Sequence, residues 1–121
     1  VNKVSSLVAA SKKLDIEVIL IEPVPVWEEH IPKLMYDNLL AFNSDVTSSE
    51  NPFLAMNRDF LAEISLLKIK TFSSAKYFCK VKCDFSSSDG LPYYFDTGHL
   101  TLTGAYVLTP LFESLIKGVK Q

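Results

Sequence analysis

Apolar and polar positions change period several times along this chain of 121 residues. Val4, Leu7, Val8 and Leu14 recur at helical spacing, and Lys12 and Lys13 follow where cations suit a helix dipole. This predicts a helix over residues 1–14. The run IEVILI at 16–21 is short and β-branched, and predicts an inner strand buried on both faces. Glu22-Pro23-Val24-Pro25-Val26-Trp27 ends it, because prolines cannot continue a strand ladder. A loop therefore stands at the carboxyl end of a strand, the side on which open α/β sheets bind ligands. Its Trp27, Glu28, Glu29 and His30 are candidates to line a pocket. The competing reading packs Trp27 over the core edge and leaves the acids in solvent.

Residues 31–42 read as a second helix, with Pro32 tolerated in its first turn. Residues 43–51 are polar and Ser-rich, a loop. Asn51 caps and Pro52 opens a third helix, in which Phe53, Met56, Phe60, Ile64 and Leu67 form an apolar stripe. LKIKTF at 67–72 alternates and predicts a strand with one polar face. Residues 73–89 look irregular, and Ser86-Ser87-Ser88-Asp89-Gly90 is a turn signal. A short β-like run follows, Leu91 to Phe95. The last helix covers about 102–119, capped by Thr101 or Thr103, with apolar surface from Leu102, Ala105, Tyr106, Leu108, Leu111, Leu115 and Ile116. Pro110 cannot donate to the Tyr106 carbonyl, so a kink is expected there. Gly104 is expected to let the helix start approach neighbouring backbone. The order helix-strand-helix-helix-strand-helix is that of an α/β domain.

Composition narrows the classes. Apolar residues make up 48% and aromatics 12%, which is globular rather than disordered. Net charge is −2, and the lysines are scattered, so nucleic acid is not expected as a partner. The longest apolar run is far shorter than the ~20 residues a membrane-spanning helix needs. The chain starts at Val1, inside a helix-like pattern, and reads as a fragment whose targeting or membrane segment would lie upstream.

The chemistry-bearing stretch is Tyr94-Phe95-Asp96-Thr97-Gly98-His99. A tight turn can bring the Asp96 carboxylate against the His99 ring. The acid would then set the tautomer and stabilise the imidazolium, leaving the other nitrogen to take a proton from a nucleophile. Cys79 and Cys83 are the two cysteines. A disulfide would suit an extracytoplasmic compartment and would require an irregular backbone, since this spacing closes poorly in a helix. Two free thiols remain the main alternative. A zinc site using Cys79, Cys83 and His99 is a weaker one.

Cys79, Cys83, Gly90, Pro92, Tyr94, Asp96, His99, Leu100, Thr101, Gly104 and Ala105 together resemble the C-terminal end of SGNH (GDSL-like) hydrolases. The resemblance is closer to SGNH domains fused to integral-membrane acyltransferases, and is strongest over residues 76–118. It implies a flavodoxin-like three-layer α/β fold, with residues 1–121 as the C-terminal part of one domain. It implies Asp96 and His99 as the catalytic acid and base, and no cofactor. The implied partners are the upstream half of the domain and an acyl-ester or sugar substrate, with the membrane reached only through an upstream transmembrane domain.

The remaining parts of such an enzyme do not occur here. None of Gly90, Gly98, Gly104 and Gly118 precedes Asp-Ser or begins Gly-x-Asn. Asn43-Ser44-Asp45 has the wrong order. None of the serines at 73–89 is expected to sit between a strand and a helix as an activated nucleophile does. The resemblance thus implies an acyltransferase or esterase whose serine and oxyanion blocks lie upstream, and a chain that is inactive alone. The alternative is a non-catalytic α/β binding or interaction fragment with a structural Asp96–His99 pair.

Overall fold

The computed structural model describes residues 2–42, 46–49 and 54–119. The elements in chain order are α1 (Asn2–Lys13), β1 (Ile19–Ile21), α2 (Ile31–Leu40), β2 (Ser48–Ser49), α3 (Leu54–Ser65), β3 (Lys70–Phe72), α4 (Ala75–Phe78), β4 (Cys83–Asp84), α5 (Leu102–Val107) and α6 (Thr109–Val119). The helix ends share a device. Asp15, Phe42 and Lys68, just past α1, α2 and α3, take left-handed φ values of 55°, 57° and 52°. After α1, Ile16 N donates back to the Ser11 carbonyl at 3.0 Å, satisfying one carbonyl of the last turn. The predicted Asn51 cap, Pro52 and Phe53 lie outside the described residues, as does the side chain of Met56.

β1 and β3 pair in parallel, Ile19 with Lys70, Leu20 with Thr71 and Ile21 with Phe72. A parallel pair needs a crossover, and α2 and α3 lie within it. Glu22 N extends the ladder to the Phe72 carbonyl at 2.9 Å, and Ser74 Oγ donates to the Glu22 carbonyl at 2.7 Å. The carboxyl ends of the two strands are thereby tied together.

Several expectations are corrected. The strand predicted over 16–21 covers only 19–21, and it is not buried on both faces: Ile16 is 55% exposed and Ile21 38%. Among the described residues β1 has one neighbour, β3, from the predicted 67–72 segment, the neighbour this chain is expected to supply. The strand predicted at 67–72 begins only at Lys70, because the turn at 66–68 carries the end of α3. The Ser-rich segment holds β2, which pairs antiparallel with β4, and Phe85 N donates to the Thr47 carbonyl at 2.8 Å. Residues 91–95 form no strand, only single bridges from Pro92 to Ser86 and from Tyr94 to Leu100.

The main core gathers Trp27, Ile31, Phe78, Cys83, Phe85, Tyr94, Leu108 and Leu111. Trp27 stands edge-on to Phe85 and Tyr94, with ring centroids 5.7 and 5.8 Å apart. This is the packing reading of Trp27, and it removes that side chain from any pocket. Burial also pushes the Tyr94 phenol far above its usual range, so it stays a neutral hydroxyl.

The C-terminal helix divides as the proline requires. α5 ends at Val107, Leu108 carries the bend, and α6 starts at Thr109. Thr101 caps α5, its Oγ1 accepting from Gly104 N at 3.1 Å and donating to the Pro92 carbonyl at 2.7 Å. Thr101 N donates to the Tyr93 carbonyl at 2.9 Å. Gly104 packs against that same carbonyl group, and a β-carbon there would overlap its oxygen and stand 2.9 Å from its carbon. Among the described residues no helix is long and apolar enough to cross a membrane.

Gly104→Ala should therefore cost about 2–3 kcal/mol, because the atom in the way is backbone and cannot rotate aside. Gly118→Ala, whose β-carbon meets only the end of Lys70 at 3.6 Å, is the comparison. It should be neutral or stabilise by up to about 1 kcal/mol. Urea midpoints at constant slope test both.

Candidate functional site

Residues 94–100 form a closed loop on a short antiparallel contact. Tyr94 bridges Leu100, and Phe95 N donates to the His99 carbonyl at 3.0 Å. The turn inside this closure is organised by one side chain. Asp96 Oδ1 accepts from Gly98 N at 2.8 Å and from His99 N at 2.7 Å. An aspartate that bonds the backbone two residues on is a common way to hold such a turn. The second oxygen, Oδ2, lies 2.6 Å from His99 Nδ1. The spacing in the sequence thus does bring acid and imidazole together.

The electrostatics decide the proton positions. Donation from Gly98 N and His99 N, and then from the His99 ring, lowers the Asp96 pKa from 3.8 to about 2. Near neutral pH the carboxylate can only accept. His99 Nδ1 must then carry the hydrogen, and in the neutral ring the lone pair is on Nε2. Among the described residues Nε2 has no hydrogen-bond partner. The His99 side chain is 78% exposed and that of Asp96 24%. Phe95 stacks on the imidazole, with centroids 5.6 Å apart and planes 17° apart.

The turn is held from beneath by the loop after β1. Trp27 N donates to the Thr97 carbonyl at 2.7 Å, and Ile31 N to the Asp96 carbonyl at 3.3 Å. The Val26 side chain lies where a β-carbon on Gly98 would touch it at 3.5 Å. The loop works through its backbone, as in the reading that packs Trp27 on the core and leaves the acids in solvent. Glu28 is exposed. Glu29 and Asp37 face Lys33 at 3.4 and 2.6 Å in exposed, solvent-screened pairs of little weight. His30 stands at the N-cap of α2 without a side-chain capping bond. These backbone contacts carry no residue signature. The Phe95 stack could have been suspected from an aromatic four positions before a histidine in a closed turn.

Cys79 and Cys83 form a disulfide, with Cα atoms 3.9 Å apart, closing a hairpin whose tip is Lys80-Val81-Lys82. Cys79 is already extended, past the end of α4, which is the irregular backbone the spacing required. Both sulfurs are consumed, and among the described residues no group of three His, Cys, Asp or Glu side chains could hold a metal. The zinc reading falls. Contrary to expectation, Ser74 does stand between β3 and α4, but it is fully buried and its Oγ donates to the Glu22 carbonyl at 2.7 Å, while Ser87 Oγ accepts from Leu91 N at 3.1 Å. A cavity of about 300 Å³ between Met35, Tyr36, Leu39, Val46, Ser86 and Gly90 includes neither Asp96 nor His99.

With this geometry established, comparison places the chain among known proteins. A family model described as "SGNH domain (fused to AT3 domains)" matches residues 2–114. No curated protein matches the chain. A solved structure, the periplasmic domain of a lipopolysaccharide acetyltransferase from Salmonella ser. Paratyphi A, superposes with a TM-score of 0.74 at 21% identity. The match covers 93% of this chain and 49% of that one, so the chain spans about half the length of that domain. At this identity the likeness shows the fold, the SGNH-type α/β fold that the motif implied.

The depressed Asp96 pKa has a checkable sign. The ionised carboxylate favours the folded turn, fully above pH 3.8, and this contribution is lost as the pH falls through about 2. A carbon-13 carboxyl titration should give Asp96 a midpoint near 2. In His99→Ala the midpoint should remain well below 3.8, because the two backbone donors are the larger cause. A midpoint of 3.8 in the native chain would show that the carboxylate is not held.

Proposed function

We propose that this chain, which belongs to the family of SGNH domains fused to AT3 domains, is the part of an acyl-transferring SGNH domain that supplies the acid and base of a Ser-His-Asp triad. The observation that carries the reading is the 2.6 Å contact of Asp96 Oδ2 with His99 Nδ1 in an otherwise open site. A pair that merely braced the turn would not need the imidazole, since Asp96 Oδ1 already holds two backbone N–H groups. This weighs against a non-catalytic fragment.

In the proposed reaction a serine outside this chain attacks the acyl carbonyl, and His99 Nε2 takes its proton. Asp96 stabilises the resulting imidazolium without becoming protonated, as its low pKa requires. Collapse of the tetrahedral intermediate expels the donor oxygen, which receives the proton from Nε2 and leaves an acyl-serine. The acceptor hydroxyl then gives its proton to Nε2 and attacks the ester carbonyl. Return of that proton to the serine releases the acylated acceptor. Oxyanion donors, worth about 2.7–4 kcal/mol each, would also come from outside this chain.

The substrate class we infer is an acyl ester, acetyl by analogy with the structural neighbour, carried by a cell-surface carbohydrate or lipid. The site would face an extracytoplasmic compartment, which the Cys79–Cys83 disulfide supports. Contact with the membrane would come from a transmembrane acyltransferase part of the same protein.

Turnover of the protein carrying the serine block tests the assignment. His99→Ala should lower kcat by about 10⁴-fold or more, since triad members act as a unit. Asp96→Asn should cost the same or less, and His30→Ala should be close to parental. Parental turnover in His99→Ala with loss in His30→Ala would leave only the fold in common with the family.

A further inference from the structure

Phe95 is absent from the residues that carry the family resemblance, and the acid–base pair does not by itself require an aromatic there. Phe95 is 58% exposed and stands outside the core, but its ring has a specific neighbour. The backbone on which it stands is fixed by the Tyr94–Leu100 bridge and by the bond from Phe95 N to the His99 carbonyl. The same two contacts fix the backbone of His99, directly opposite. The two rings lie nearly parallel, with centroids 5.6 Å apart and planes 17° apart.

The hydrogen bond from Nδ1 to Asp96 anchors one corner of the imidazole. The Cβ–Cγ bond is the other tether, and small coupled rotations of the side chain still change the direction in which Nε2 points. A flat aromatic ring lying nearly parallel at 5.6 Å limits how far the imidazole can turn toward it, while the imidazole stays open to solvent. We propose that Phe95 is a positioning residue for His99: its ring narrows the range of directions in which Nε2 can meet the nucleophile. This rests on the reading of His99 as the general base. Orientation at this scale matters, because misplacing a catalytic group by about 1 Å can cost about 10²-fold.

The experiment has two arms. In the protein carrying the serine block, Phe95→Leu should lower kcat about 10- to 100-fold with KM unchanged. Phe95→Tyr, which keeps the flat ring, should restore it. In this chain, labelling the imidazoles is simple, because His30 and His99 are the only two. The His99 ring protons should be shielded by the Phe95 ring relative to those of His30. That shielding should vanish in Phe95→Leu and return in Phe95→Tyr. Unchanged kcat and unmoved His99 resonances in Phe95→Leu would overturn the positioning role, while an inactive His99→Ala in the same series would leave the triad reading intact. A change in KM alone would also overturn it, since Phe95 would then be touching substrate. Full turnover in His99→Ala would overturn the triad reading, and the positioning role with it.

Discussion

The structure of the site depends on one carboxylate with three donors. Asp96 accepts from two backbone N–H groups through one oxygen and from the His99 ring through the other. The first pair of bonds shapes the turn, and the third orients the imidazole. Shape and orientation therefore cannot be separated: the group that closes the turn is the group that sets the tautomer. The low pKa of Asp96 follows from the same donors, and it secures an acceptor-only carboxylate throughout the physiological range.

Around that turn the rest of the chain acts as a frame. The loop after β1 holds it from one side through the N–H groups of Trp27 and Ile31. The start of α5 approaches from the other, with Thr101 and Gly104 both set against the backbone of Tyr93. Trp27 and Tyr94 each send one face of this frame into the same aromatic core. Trp27 meets the turn through its backbone N–H while its ring is buried in that core.

What could be read in the sequence was local. The Asp96–His99 contact needs only a four-residue turn, the break near Leu108 needs only Pro110, and the cysteine link needs only an irregular backbone between two near neighbours. Gly104 was legible for a related reason, since a glycine at a helix start points to close backbone approach. What was not legible depends on partners distant in sequence. Ser48 and Ser49 have no apolar alternation, and become a strand only because Cys83 and Asp84 lie beside them. The exposure of Ile16 and Ile21 is decided by what covers them, which their own β-branched run does not encode. The clamp from Trp27 and Ile31 uses backbone N–H groups that every residue but proline possesses.

The clamp also separates two events in the folding of this chain. Closure of the 94–100 loop involves near neighbours and carries a small loop-entropy cost, so it can precede the rest. The bonds from Trp27 to Thr97 and from Ile31 to Asp96 join segments far apart in sequence, and such contacts form late. A peptide spanning only the turn could bring carboxylate and imidazole together, but nothing would anchor the pair to the sheet. The pairing of the two groups is a local property, whereas their aim belongs to the assembled domain.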